Sequence, residues 1–205
     1  GELLTEVTIP DGITEIGPAV LSSTALEKVI IPDGVTGIGR FAFSSCTSLT
    51  DVTIASSVIS IGECAFQSCS ALEGITLPNS ITLIDSGTFA GCTSLKEVSL
   101  PDVMTEISEQ AFCGCSSLKS VKLPMNLKII CNGVFADCEN METITLPESL
   151  ICIEDEAFSE CDRLSSITIP ASVKSIGKLA FHNCRSLKKL TIFGKVSADD
   201  LAFAG

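Results

Sequence analysis

The sequence predicts a repeat solenoid of the α/β class, with short parallel strands stacked one per turn, and three residue columns predict it. Phe43 returns as Phe66, Phe89, Phe112, Phe135, Phe158 and Phe181, always 23 residues on. Cys46 returns at the same step as Cys69, Cys92, Cys115, Cys138, Cys161 and Cys184. Ile38 does so as Ile61, Ile84, Ile107, Ile130, Ile153 and Ile176. Independent columns held in one register leave no place for a domain boundary, so residues 1–205 read as a single domain.

Each turn should open with a strand. The pattern Leu-x-x-Val-x-Ile appears at Leu4/Val7/Ile9, Leu26/Val29/Ile31, Leu49/Val52/Ile54, Leu72/Ile75/Leu77 and Leu95/Val98/Leu100. It continues at Leu118/Val121/Leu123, Met141/Ile144/Leu146, Leu164/Ile167/Ile169 and Leu187/Leu190/Ile192, which makes nine expected strands. Apolar and polar residues alternate at the end of each, the period-two mark of a half-buried strand. Pro10, Pro32, Pro78, Pro101, Pro124, Pro147 and Pro170 follow the strands, where a residue without an N–H can end a ladder; Ala55 and Phe193 are the exceptions. The Ile column comes next, followed by Gly17, Gly39, Gly62 or Gly177 in four repeats. The Ala-Phe pair after it is expected to begin a 3₁₀ turn or a single helical turn.

Residues 1–25 form an irregular first repeat: Leu21 stands in the Phe column, Thr24 in the Cys column, and the Ile16-to-Ile38 step is 22. An altered terminal repeat is expected where one side meets water. Residues 193–205 drop the Ile and Cys columns and read as a C-terminal cap, with Phe193 and Phe203 as its lid.

A net charge of −12 lacks the basic footprint of a nucleic-acid surface. No apolar run approaches the ~18 residues of a membrane span, so the segment is not expected to insert. Gly1 opens the chain in mid-pattern, as expected of a trimmed segment carrying an expression remnant, so the missing signal peptide says nothing about secretion. Eleven cysteines would ordinarily point to a disulfide scaffold. Seven of them fall in one column, however, where side chains from successive rungs point the same way, whereas a disulfide needs converging Cβ vectors. The column therefore reads as buried free thiols acting as small apolar fillers.

Segments such as VTGIGRFAFSSCTSLTDVTI and VKSIGKLAFHNCRSLKKLTI resemble the BspA-type leucine-rich repeat, whose pattern Ile-Gly-x-x-Ala-Phe-x-x-Cys-x-x-Leu-x-x-Val-x-Ile-Pro covers nearly all of this chain. Asp85, Ser108, Cys131 and Glu154 depart from it at the Gly, Thr88 and Val134 at the Ala, and Ala55 at the Pro. The resemblance implies a right-handed leucine-rich-repeat solenoid with its parallel sheet on the concave side and turns, 3₁₀ pieces or short strand pieces on the back. It also implies a secreted or cell-surface, non-catalytic protein-binding module used in adhesion, with a host extracellular-matrix protein or another cell-surface protein as partner. The alternative is a structural spacer or intracellular scaffold, in which unpaired cysteines are more at home.

No catalytic constellation stands out. His182 is the sole histidine and reads as a surface residue beside core Phe181. Glu154, Asp155, Glu156, Glu160 and Asp162 lack the spacing of a calcium loop, and Cys113-Gly114-Cys115 lacks that of a zinc site, so neither metal nor cofactor is expected. Binding is expected instead on the outward positions of the strands: Lys28, Asp51, Thr53, Thr76, Glu97, Lys122, Thr145, Thr168, Lys189 and Thr191. Threonine fills six of nine positions in the second outward row, which also suits any exposed strand. Charge is segregated as well. Asp137 to Asp162 holds nine acids and no base, and Arg163 to Lys195 seven bases and no acid. Arg185, Lys188 and Lys189 are therefore expected to give a basic end suited to end-to-end contact or to an acidic partner.

Overall fold

In the computed structural model, which describes residues 4–205, each period makes one rung with a tight corner and a two-residue strand, and six rungs add a longer strand. The longer strands lie at Lys28–Ile31, Asp51–Ile54, Gly74–Thr76, Glu97–Ser99, Ser166–Ile169 and Lys189–Ile192. The shorter ones span two residues each, at Glu15–Ile16, Gly37–Ile38, Ser60–Ile61, Leu83–Ile84, Glu106–Ile107, Ile129–Ile130, Cys152–Ile153, Ser175–Ile176 and Ser197–Ala198. All pairings between strands are parallel, and most run one period apart, as in Lys28↔Asp51 and Ile153↔Ile176.

Two expectations are corrected. Among the described residues there is no helix, α or 3₁₀, so the fold is a parallel β-solenoid rather than an α/β one. The Leu-x-x-Val-x-Ile segments yield six strands and one isolated bridge, Lys122↔Thr145, instead of nine strands; the set of nine belongs to the Ile column.

Proline explains the shortfall. The N–H of Ala55 donates to the carbonyl of Ile31 at 3.1 Å, and that of Phe193 to Ile169 at 3.2 Å. These are the two rungs without proline at that position, and the strand pairs they close, Lys28–Ile31 with Asp51–Ile54 and Ser166–Ile169 with Lys189–Ile192, are four residues long. Where Pro101 or Pro147 stands instead, the closing donor is missing and the ladder shrinks to three residues or to the single bridge.

The corner forms no helix because its amides are shared between two directions. In the rung Gly39–Cys46, the N–H groups of Phe41, Phe43 and Ser45 donate forward to Glu63, Ala65 and Gln67 of the next rung, at 2.9, 2.8 and 2.7 Å. Those of Ala42, Ser44 and Cys46 close turns back to Gly39, Phe41 and Phe43. The chain alternates by placing two residues per corner in the left-handed region, Phe41 and Ser45 here and Gln110 and Gly114 further on. Only the Gly87/Gly91 corner meets both positions with glycine, so most corners carry a backbone cost of roughly 1–2 kcal/mol per left-handed residue.

The interior is built from the repeating columns. Seven phenylalanine rings from Phe43 to Phe181 are buried and stack with centroids 5.2–5.8 Å apart. Phe203 extends the stack at 5.3 Å from Phe181. The tail is therefore a partial further rung, its Ala198 paired with Ile176 in the Ile column, whereas Phe193 stays largely exposed. At the other end Thr24 does occupy the Cys column, its hydroxyl 3.2 Å from the Cys46 thiol.

Candidate functional site

Because strand side chains alternate, the first and third residues of Lys28–Ile31, Asp51–Ile54 and Ser166–Ile169 point to solvent while the second packs inward. The parallel register then aligns the outward residues into two rows across the long-strand face. One row runs through Glu6, Lys28, Asp51, Gly74, Glu97, Ser120, Thr143, Ser166 and Lys189, and the other through Thr8, Ile30, Thr53, Thr76, Ser99, Lys122, Thr145, Thr168 and Thr191. Lys28, Asp51, Thr53, Thr76, Glu97, Lys122, Thr145, Thr168, Lys189 and Thr191 thus share one face. None is fully buried, so its side chain is free of packing duty.

Shallow depressions follow this face. One of about 560 Å³ lies between Asp51, Thr53, Thr76, Glu97 and Ser99 and is rimmed by Pro78. Another of about 510 Å³ lies between Ser120, Lys122, Thr143 and Thr145 and is rimmed by Met125 and Glu148. The sequence reading overlooked Met125 because it stands outside the strand pattern, in the turn after Pro124.

Arg185 does not join the face. It sits in the turn leading out of Cys184, 3.1 Å from Asp162 and 3.6 Å from Glu160, so acidic and basic bands neutralise each other across adjacent rungs there. Lys188 and Lys189 stay exposed and make no ion pair among the described residues. Lys28 pairs with Asp51 at 3.6 Å and Lys122 with Asp102 at 2.9 Å, so two of the face cations are already partly spoken for.

The other reactive groups have structural partners. His182 is half-buried, and its Nδ1–H donates to the Ala204 carbonyl at 2.7 Å, which ties the tail to the last full rung. All eleven cysteines are free thiols. In the column, each Sγ–H from Cys69 on donates to the phenylalanine carbonyl of the preceding rung, as Cys69 to Phe43 at 3.2 Å, Cys115 to Phe89 at 3.3 Å and Cys161 to Phe135 at 3.3 Å, while Cys46 donates to Leu21 at 3.1 Å. Burial holds the Cys69, Cys92, Cys115, Cys138 and Cys161 thiols well above the ordinary range and pushes Cys184 up to about 12. Off the column, Cys113 lies 4.0 Å from the Asp137 carboxylate, and burial with nearby acids raises its pKa too. Among the described residues no three His, Cys, Asp or Glu side chains converge as metal ligands, and no helix is long and apolar enough to cross a membrane.

Solved structures share this architecture. A leucine-rich repeat protein from Bacteroides ovatus is 33% identical over 95% of this chain and 58% of its own, with a TM-score of 0.71. The T. pallidum leucine-rich repeat protein is 29% identical over 84% of this chain and 73% of its own, with a TM-score of 0.68. A leucine-rich cell surface protein from Faecalibacterium prausnitzii is 27% identical over 93% of this chain and 66% of its own, with a TM-score of 0.61. The chain thus spans little more than half of the Bacteroides protein and about two thirds of the Faecalibacterium one. No curated protein matches it. The model of the BspA-type leucine-rich repeat region matches in six copies over residues 2–119 and 82–205. With the 23-residue rung, the phenylalanine stack and the thiol column in place, the chain belongs to the BspA-type leucine-rich repeat family.

Proposed function

We propose that this chain is a non-catalytic protein-binding module of a secreted or cell-surface protein, and that it binds through the long-strand face. One observation carries the reading: the two rows from Glu6 and Thr8 to Lys189 and Thr191 line one exposed face, and the first of them changes residue from rung to rung while the columns beneath it repeat. A face released from core duty is free to acquire a partner, and solenoids use such extended surfaces for proteins. The face carries no Trp or Tyr, so recognition rests on polar contacts and on Ile30 and Met125 rather than on aromatic anchors. Adhesion to a host extracellular-matrix protein or to another cell-surface protein is the function proposed for it; the Faecalibacterium relative, a leucine-rich cell surface protein, supports the surface location alone.

The second reading, an intracellular scaffold or spacer, draws on the eleven free thiols. Burial and hydrogen bonding of the thiol column weaken that argument, because a protonated, inaccessible thiol resists oxidation wherever the protein resides. The test is binding of the chain to immobilised matrix proteins and to whole host cells, against a variant carrying Asp51→Lys, Thr76→Arg and Glu97→Lys. Binding by the parent that the triple variant loses, with an unchanged Tm, is expected. No binding by the parent overturns the adhesive role, and equal binding by both overturns the face.

A further inference from the structure

The strand ladders lapse together at two places inside the stack. Asp51–Ile54 and Gly74–Thr76 stand one period apart, yet no pairing joins them, and none joins Ser60–Ile61 to Leu83–Ile84. The double gap recurs two rungs on. Glu97–Ser99 pairs with nothing in the following rung, and Glu106–Ile107 does not pair with Ile129–Ile130. At every other junction among the described residues the two-residue strands pair, even between Cys152–Ile153 and Ser175–Ile176, where the long ladder is also missing. Pro78 and Pro124 follow the two seams, but Pro101 follows a junction that stays paired, so proline alone does not open them.

The ring stack marks the same two seams. Phe66 and Phe89 lie 5.7 Å apart and Phe112 and Phe135 5.8 Å, whereas the other neighbouring rings are 5.2–5.6 Å apart. Backbone amides agree. At paired junctions Thr105 and Ser108 donate to Thr82 and Ile84 at 3.0 and 2.9 Å, and Ile151 and Glu154 to Lys128 and Ile130 at 2.8 and 2.9 Å. Their counterparts at the seams, Thr82 and Asp85 at the first and Lys128 and Cys131 at the second, bond to no carbonyl of the preceding rung. The corners nevertheless stay closed. Cys64, Phe66 and Ser68 donate across the first seam at 2.9, 2.9 and 2.7 Å, and Gln110, Phe112 and Gly114 across the second at 2.9, 3.0 and 2.8 Å. The Cys92 and Cys138 thiols add their bonds to the Phe66 and Phe112 carbonyls.

We propose that the solenoid is jointed at these two seams. The rungs up to Phe66, the two rungs Gly74–Cys115 and the rungs from Ser120 onward are stiff blocks, and the corner is the hinge about which they pivot. A junction bonded at its corner and unladdered on both strand sides opens more readily than one laddered throughout. The polar contacts left on the strand sides are slight. The Ser80 hydroxyl donates to the Val58 carbonyl across the first seam. Across the second, the Ser117 N–H donates to Thr93 at 3.2 Å and Lys122 meets Asp102 at 2.9 Å, an ion pair too exposed to replace a ladder. The depression of about 560 Å³ lies over the first seam, with Asp51 and Thr53 on one block and Thr76, Glu97 and Ser99 on the next. Pivoting there changes its width and so the curvature of the long-strand face. The joint needs no partner, so its test is independent of any binding role.

Backbone NMR of the 205-residue chain tests this with two readouts. Thr82, Asp85, Lys128 and Cys131 match Thr105, Ser108, Ile151 and Glu154 in exposure, so the second set controls for solvent access. In hydrogen exchange the seam amides should be protected about tenfold less than these controls, while the corner amides of Phe66 and Phe112 stay protected. Relaxation dispersion should show exchange on the μs–ms scale of hinge motion at the four seam amides and none at the four controls. Equal protection of the two sets would overturn the proposal. Fast hydrogen exchange with flat dispersion would describe a fixed gap and overturn the joint. Dispersion spread evenly over seams and paired junctions would mean a uniformly elastic stack, and would overturn the division into blocks.

Discussion

The phenylalanine corner and the long-strand face of the same rung are held together by different means. In the corner Gly39–Cys46, three backbone N–H groups bond to the next rung, the ring of Phe43 lies 5.2 Å from that of Phe66, and the Phe43 carbonyl accepts the thiol of Cys69. On the strand face, ladders four residues long survive only where Ala55 and Phe193 replace proline. The comparison teaches that this solenoid concentrates its rung-to-rung cohesion at the corner, which leaves the strand face comparatively free to change. A surface that contributes less to the stack can diversify at lower cost, which is the property a binding face needs.

The largest effect should come from pH. Burial keeps the thiols of Cys69, Cys92, Cys115, Cys138, Cys161 and Cys184 protonated in the folded chain, while the same thiols in the unfolded chain ionise near 9.0. Their folded pKa values are raised, so their contribution is complete below pH 9 and is lost as pH rises from there towards the folded values, about 12 for Cys184. Each fully buried thiol removes on the order of 1.4 kcal/mol per pH unit in that window. Several such thiols ionising in one window remove a substantial part of the roughly 5–15 kcal/mol of an ordinary domain. Chemical denaturation followed from pH 8 to pH 11 should show a steep loss beginning near pH 9. A flat profile would remove the thiol column from the account of the corner. Thiol titration belongs beside it: the buried column should react only in denaturant.

A substitution on each side of the comparison should differ almost as sharply. Phe112→Ala takes a ring from the middle of the stack, between Phe89 at 5.4 Å and Phe135 at 5.8 Å, and should cost about 3–5 kcal/mol. Thr76→Ala on the strand face should stay within about 0.5 kcal/mol. Equal changes in the two denaturation midpoints would erase the difference between corner and face.

The smallest effect should come from Ala55→Pro, which removes the donor to Ile31 and makes this rung like its neighbours. The lost bond is worth about 0.5–1.5 kcal/mol. Reduced freedom of the unfolded chain returns about 0.4–1 kcal/mol, so the net change should be under about 1 kcal/mol. A loss as large as that of Phe112→Ala would mean that the strand ladder, not the corner, carries the stack.

Much of the site was already legible in the period. Opposite charges one repeat apart become ion pairs, as in Lys28 with Asp51, Glu73 with Lys96 and Asp162 with Arg185. Arg185 was nevertheless expected in a free basic end, because counting charges by band ignores which residues a 23-residue step brings side by side. The alternation within Leu-x-x-Val-x-Ile was enough to place Thr53, Thr76 and Thr145 outward, whereas Met125 carried no such signal.

The sequence by itself determined the stack: rung length, the phenylalanine and thiol columns, Thr24 as a surrogate cysteine, and the two rows of outward residues. All of these repeat, and a repeat brings equivalent residues together whatever the details of each rung. Tertiary structure alone decided the hydrogen bonds. The Ala-Phe corner has the length and composition of a helical turn, yet Phe41, Phe43 and Ser45 turn their amides to the next rung. Proline at a strand end reads as a stop in any single chain, but only the adjacent strand reveals whose carbonyl it leaves without a donor. The tail shows the same limit. Its Ala198 carried no mark of the Ile column, and pairing with Ile176 gave it that place, because a backbone ladder asks for an N–H and a carbonyl at the right height and not for a particular side chain.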